Sequence, residues 1–219
     1  MTKSIVTAVI ATYNEEERIL PVLDTLVRCS DVHEIIVVDD GSRSPVNVYA
    51  SKYPTVRFLT HERNKGKAAA METGVQAAKG EYIFFCDADL LGLQPEHVSG
   101  MIRPVLDGTY QTFIGIRFNP EQRAVKLFAL NSGERCVKKS DWNALPQFYK
   151  TGFRIETGLN FRVKKSGGKM GYAVFPYRQT IKEKKWGFWR GLRQRWIMTK
   201  EVGVTYCYIV FYDFWKRTS

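Results

Sequence analysis

Asp87 and Asp89 lie two residues apart, directly after the apolar run Tyr82-Ile83-Phe84-Phe85. A strand that ends in two carboxylates carries them to the carboxyl edge of an α/β sheet, where open sheets bind their ligands. Charges held there call for a partner. A divalent cation bound together with a phosphorylated ligand fits, because Mg²⁺ is typically held by one or two carboxylates plus phosphate oxygens. By itself Asp-x-Asp reads as a solvated loop; its place at the end of a strand gives it weight.

Three other loops add to this one. Thr12-Tyr13-Asn14-Glu15 follows the apolar residues 5–11, and Asp39-Asp40-Gly41-Ser42 follows residues 34–38. Asn64-Lys65-Gly66-Lys67 opens a helical stretch running to about Lys79, so its amides and lysines can meet an anion. Taken singly, these are turn chemistry or a helix start. Together they offer a flat aromatic, acids for a ribose or base, a carboxylate pair for a metal and a cation for phosphate. That set suits a nucleoside diphosphate. His33, His61 and His97 share no ligand spacing and read as surface or cap residues.

The elements that must position these loops alternate. Strands are predicted at 5–11, 34–38, 56–60 and 82–86, separated by helices near 15–27, 46–52 and 64–79, with Asn14 as a helix N-cap. Such alternation implies right-handed crossovers and a parallel sheet. Beyond residue 90 the pattern loosens. Helices are expected at 95–106, 141–149 and 154–164, strands at 109–118 and 171–177, and one or two amphipathic helices over 186–215. The 219 residues suffice for one well-packed domain and are short for two. The organisation expected is one domain over residues 1–185 with a helical appendage at 186–219.

The formal net charge is +11, and residues 176–219 hold ten Lys/Arg against three Asp/Glu, so the excess is concentrated there. In that tail Trp186, Phe188, Trp189, Leu192, Trp196 and Ile197 interleave with Lys185, Arg190, Arg193 and Arg195. Aromatics with Lys/Arg on an amphipathic helix suit a membrane interface with anionic headgroups; the competing reading is a helix that closes the core. No nucleic-acid module accompanies the basic run, so no nucleic-acid partner is expected. Cys29, Cys86, Cys136 and Cys207 have no paired spacing and read as reduced, mostly buried thiols of a cytosolic protein. Neither a signal peptide nor a membrane-spanning run is expected.

As a set, Val9-Ile10-Ala11-Thr12-Tyr13-Asn14-Glu15, Val37-Val38-Asp39-Asp40-Gly41-Ser42, Asn64-Lys65-Gly66-Lys67 and Asp87-Ala88-Asp89 resemble glycosyltransferase family 2. Within it the chain is most similar to the soluble catalytic domains of dolichol-phosphate (polyprenyl-phosphate) sugar transferases. The resemblance covers roughly the first half of the chain. It departs at Ala11, where the family commonly has proline. It implies the GT-A fold, a Rossmann-like, mostly parallel sheet with helices on both faces, and inverting transfer of a sugar from a nucleotide donor. It implies that Thr12, Tyr13 and Glu15 line the nucleotide pocket, that Asp40 binds the base or ribose, and that Asp87 and Asp89, with Ala88 between them, hold Mg²⁺ or Mn²⁺ against the donor diphosphate. Lys67 and Arg117 become helpers at the departing phosphate.

Ser132-Gly133-Glu134-Arg135 resembles the family's loop after the metal motif, in which an arginine faces substrate; a surface turn is the alternative. Residues 152–160 resemble the segment that brings an acid to the acceptor. Glu156 would be a general base for a hydroxyl acceptor; a phosphate acceptor is already anionic and needs none, leaving Glu156 to orient the sugar or a cation, and a solvent-facing helix acid is the plainer reading. The expected acceptor is a polyprenyl (dolichyl) phosphate, with the enzyme peripheral on the cytoplasmic face of the membrane. Alternatives are a hydroxyl acceptor, phosphoglycerate with a retaining mechanism, or a catalytically silent nucleotide-sugar or membrane-binding protein.

Overall fold

The computed structural model describes residues 5–118, 132–179 and 188–218, with side chains in the last segment described for residue 193 and residues 196–211. Lys185 and Trp186, expected to begin the amphipathic tail, lie outside the described residues.

The first half alternates as its pattern predicts. β1 (Val6–Thr12), β2 (Glu34–Asp39), β3 (Val56–Thr60) and β4 (Tyr82–Phe85) pair in parallel, and α1 (Leu20–Leu26) and α2 (Lys67–Ala77) serve as crossovers. β5 (Leu90–Leu91), α3 (Pro95–Leu106), β6 (Thr112–Arg117), β7 (Arg135–Lys138), α4 (Lys139–Asn143), α5 (Ile155–Lys165), β8 (Met170–Phe175), β9 (Arg178–Gln179) and α6 (Phe188–Thr218) follow. Among the described residues the main sheet has seven strands in the order β3-β2-β1-β4-β7-β6-β8, and β5 and β9 form a small antiparallel ribbon. Among the described strands of the main sheet, β7 is the one that runs antiparallel to its neighbours.

Strand alternation sends side chains to opposite faces, and both faces are covered. Val6, Ala8 and Ile10 pack with Val22, Leu23 and Leu26 of α1 and Met101 and Ile102 of α3. On the other face Val9, Ile36, Val38, Ile83 and Phe85 pack with Met71 and Val75 of α2, Trp142 of α4 and Leu159 of α5. Burying each large apolar side chain stabilises by about 1.5–3 kcal/mol relative to leaving it exposed.

Four expectations need correction. Residues 141–149 do not form one helix: α4 ends at Asn143 and a 3-10 turn occupies Gln147–Tyr149. Pro146 between them lacks an amide hydrogen and disfavours the helical conformation at Leu145. Asn14 is not an N-cap. It takes a left-handed backbone (φ 53°), and a 3-10 turn, Glu16–Ile19, precedes α1. The expected 46–52 helix is a 3-10 turn at Val46–Tyr49. β7 stands where the sequence predicts no strand, because four residues beginning with Arg135 and ending with Lys138 lack an apolar strand pattern. The tail is one continuous helix, α6. No described helix is long and apolar enough to cross a membrane. Cys29, Cys86 and Cys136 are buried free thiols, as expected, and Cys207 is exposed.

Candidate active site

The ends of β1, β2 and β4 lie along one edge of the sheet, with Thr12 in register with Asp39 and Val9 with Phe85. Their loops are laced together. The Asp40 amide donates to the Thr12 carbonyl (2.8 Å), the Asn14 amide to Ser42 Oγ (2.8 Å), and the Arg43 amide to Asn14 Oδ1 (3.0 Å). Asp39 accepts the Ser42 and Val46 amides, both at 2.9 Å. Asp40 accepts the Lys65 amide on Oδ1 (2.9 Å) and the Gly66 amide on Oδ2 (2.7 Å), and its Oδ1 lies 2.7 Å from His61 Nδ1. His61 Nε2 meets Thr73 Oγ1 at 2.9 Å. The anion at the Asn64–Lys67 amides is therefore Asp40 itself. This organises the residues that open α2 and aim Lys67 toward the β4 loop.

An acidic and basic cluster stands at that loop. Lys67 Nζ is 2.7 Å from Asp87 Oδ1 and 3.8 Å from Glu156 Oε1. Arg117, at the end of β6, lies 3.6 Å from Asp87 Oδ2 and 3.7 Å from Glu134 Oε2. The Gln179 amide nitrogen bridges Asp87 Oδ2 (3.1 Å) and Asp89 Oδ1 (2.7 Å), and the Gln179 carbonyl accepts from Arg117. Gly133 allows the backbone to lie against this group, since a Cβ there would come within 3.1 Å of Asp87 Oδ1 and 3.2 Å of Lys67 Nζ.

The electrostatics divide the acids. Burial raises the pKa of Asp87, but Lys67 and Arg117 outweigh it and hold the carboxyl well below the usual range. Burial, then repulsion from Asp87, raises Asp89. Burial opposes the charge of Lys67, but Asp87 and Glu156 leave its pKa above the ordinary value. Glu134 is fully buried and accepts from Ser132 Oγ at 2.6 Å. Its pKa is pushed up to about 7, first by burial, with Arg117 opposing and Asp87 adding to the rise.

The donor set suits a hard divalent ion. Gln179 places a polarised amide nitrogen between the two carboxylates, where a cation would be attracted. Two carboxylate oxygens leave positions for phosphate oxygens and water, the usual arrangement for Mg²⁺. Thr12 Oγ1, at the end of β1, is buried without a hydrogen-bond partner among the described residues, leaving a group for a ligand to satisfy.

The family model for glycosyl transferase family 2 matches residues 7–166. The chain belongs to this family. The glycosyltransferase is 42% identical over 96 residues to a dolichyl-phosphate beta-glucosyltransferase of Trichomonas vaginalis, covering 38% of this chain and 28% of the relative. It is 36% identical over 96 residues to the dolichyl-phosphate beta-glucosyltransferase of Mus musculus (37% and 30%). It is 30% identical over 120 residues to a dodecaprenyl-phosphate galacturonate synthase of Rhizobium johnstonii (51% and 35%). These matches span about a third or less of the relatives' own lengths. Among solved structures, glucosyl-3-phosphoglycerate synthase of Mycobacterium tuberculosis in complex with Mn²⁺, uridine diphosphate and glucosyl-3-phosphoglycerate superposes with a TM-score of 0.79, at 21% identity over 94% of this chain and 80% of that one. That likeness shows the GT-A fold of the glycosyltransferase.

The structure brings Lys67, Asp87, Asp89, Arg117 and Glu156 together and sets other expected residues apart. Arg135 is not on a surface turn, nor does it project into open space. It is buried on β7, where its guanidinium donates to the Ser132 carbonyl (2.7 Å) and Asn160 Oδ1 (2.8 Å) and reaches the Glu156 carbonyl (3.4 Å). It braces the start of α5, and burial lowers its pKa to about 10. Glu15 is buried and pairs with Arg18 at 3.1 Å, Tyr13 is exposed, and Ala88 is part of the core. Asp40 spends its oxygens on the loops described above. Two participants escaped the sequence reading as site residues. Gln179 lies 90 residues from Asp89, so nothing local marks it. Glu134 was visible in the post-metal loop, but its burial was not.

The buried Glu134 carboxyl carries a pH signature. The folded chain holds a proton on it up to about pH 7, whereas an unfolded glutamate loses it near about pH 4.3. Between these values the native state binds more protons, so stability falls as pH rises. Glu134→Gln mimics the protonated acid. Melting of the variant without metal should show a flatter pH dependence, with its largest gain over the parent above pH 7; parallel melting curves would rule out this assignment.

Proposed function

We propose that this glycosyltransferase moves a hexose from a nucleotide-diphosphate sugar to a polyprenyl (dolichyl) phosphate, with inversion and dependent on Mg²⁺ or Mn²⁺, at the cytoplasmic surface of a membrane. The observation that carries the reading is the meeting of Asp87, Asp89, Lys67 and Arg117 at the carboxyl edge of β4. Asp87 and Asp89 would hold the divalent ion, which when bound supplies positive charge to the departing nucleoside diphosphate. Lys67 and Arg117 add fixed positive charge beside the same leaving group, preorganised by the loops that hold them. As the sugar–phosphate bond breaks, the sugar becomes oxocarbenium-like and the acceptor attacks its opposite face. A phosphate acceptor needs no deprotonation, which leaves Glu156 to orient Lys67 and the sugar.

The acceptor is supported by the relatives, whose names carry dolichyl and dodecaprenyl phosphate. It is supported also by α6, whose Val202 and Thr205 are buried while Trp196, Val210 and Phe211 stand exposed, leaving an apolar face for a lipid surface. A donor screen by thermal shift with Mn²⁺, then labelled-donor transfer to dolichyl phosphate, tests the reading. Transfer to lipid that EDTA abolishes is the expected result. Transfer to 3-phosphoglycerate alone would overturn the acceptor, and turnover indifferent to EDTA would overturn the metal.

A further inference from the structure

Between α6 and the turn entering α5 lies a cavity of about 240 Å³, lined by Arg154, Trp196, Ile197, Lys200, Glu201 and Val204. Its chemistry is mixed. Arg154 stacks on Phe148, with its guanidinium carbon 4.6 Å from the ring centre, and Phe148 in turn packs on Tyr208 at 4.5 Å between centroids. Arg154 Nε is buried and has no hydrogen-bond partner among the described residues. Lys200 Nζ lies 5.5 Å over the ring of the exposed Trp196. Among the described residues of the lining Glu201 is the one acid, and its carboxylate is committed: Oε2 accepts the Phe153 amide at 2.7 Å. Gly152, at φ +56°, makes this possible, because a side chain there would run into that carboxylate.

Two cations, one with an unspent donor, thus sit beside indole and aliphatic walls. Polar headgroup and apolar chain are both provided for. The apolar wall continues along α6 through Val204 to the exposed Val210 and Phe211. The cavity also adjoins the catalytic cluster through the chain, since Arg154 is two residues from Glu156, whose carboxylate approaches Lys67. We propose that this cavity seats the phosphomonoester headgroup of a polyprenyl phosphate, held by Arg154 and Lys200, with its chain lying along α6. The identity of the lipid rests on the acceptor reading above; the headgroup site rests on the cavity itself.

Flotation of the full chain on phosphatidylcholine vesicles with and without dolichyl phosphate tests this, with Arg154→Gln, Lys200→Gln and the double variant. Each cation near a membrane surface strengthens binding about fivefold, so the double variant should lose about 25-fold in vesicle affinity. Mn²⁺ and donor should still raise its melting temperature as they do for the parent. Lys200→Gln, an exposed helix change, keeps the test valid if the Arg154 variants fail to fold. Unchanged flotation of a folded Lys200→Gln variant overturns the site. Equal flotation on phosphatidylserine vesicles reduces it to surface charge and also overturns it, as does displacement by soluble 3-phosphoglycerate. Specific flotation lost in the variants, but with no sugar transferred to the lipid by the parent, upholds the site and sinks only the acceptor assignment.

Discussion

Asp89→Asn is expected to lower turnover by about a thousandfold while leaving the fold intact. Asp89 is nearly buried, and burial together with Asp87 makes its charged form costly. A carboxylate held at such a disadvantage binds a cation with little competition from water. Asparagine keeps the size and can still accept from Gln179, but it removes one of two anionic ligands. Loss of a group that stabilises charge in the transition state typically costs about 10²–10³ in kcat, and weaker metal binding adds to this. Melting in the absence of metal should match or exceed the parent, because a buried, repelled charge has gone. Turnover measured across a Mn²⁺ titration decides the matter: full activity at saturating Mn²⁺ would remove Asp89 from the metal site.

The site was legible where its chemistry is local. Asp87 and Asp89 are separated by one residue and follow a four-residue apolar strand, so type and position coincide in the sequence. Lys67 was legible because a helix start follows it. Of the opposite wall, the resemblance marks Arg117 alone. Glu134 and Gln179 come from the loop before β7 and from β9, and only strand pairing in the two sheets brings those elements to the carboxylates. Burial also changes roles: the resemblance makes Arg135 an arginine that faces substrate, yet its buried guanidinium braces the start of α5, and nothing on its own strand signals that it points into the protein.

The fold divides in the same way. The parallel half was readable because β1, β2 and β4 are largely apolar runs, the pattern of a strand covered on both faces, while only the edge strand β3 carries an exposed arginine, Arg57. In the second half α3, β6, α5 and β8 fall where expected and β7 does not, since an antiparallel strand of four residues that begins with Arg135 and ends with Lys138 carries no such pattern. The core-closing reading of the tail holds for part of its length. Val202 and Thr205 are buried, and Ile209 packs against the same core as Trp142, while Trp196, Val210 and Phe211 remain exposed.

Asp40→Asn separates a ligand role from an architectural one. Asp40 accepts two amides and pairs with His61 while only 2% exposed. A carboxylate can accept from all three; an asparagine amide cannot. Whichever way it turns, its NH₂ faces at least one N–H donor, leaving buried donors unsatisfied. Each such group costs about 1–3 kcal/mol, so the variant should lose about 3 kcal/mol. For a chain of this length that is a fall of about 6–12 °C in melting temperature. The loss should appear without any donor present. Were Asp40 only a contact for ribose or base, unliganded melting would not move and donor KM alone would rise. His61→Gln probes the same network from its other side. Because His61 and Asp40 share a contact, the double variant should lose less than the sum of the two single losses. Additive losses would mean that His61 and Asp40 act independently, and that the Asp40 bridge to the start of α2 does not depend on the histidine.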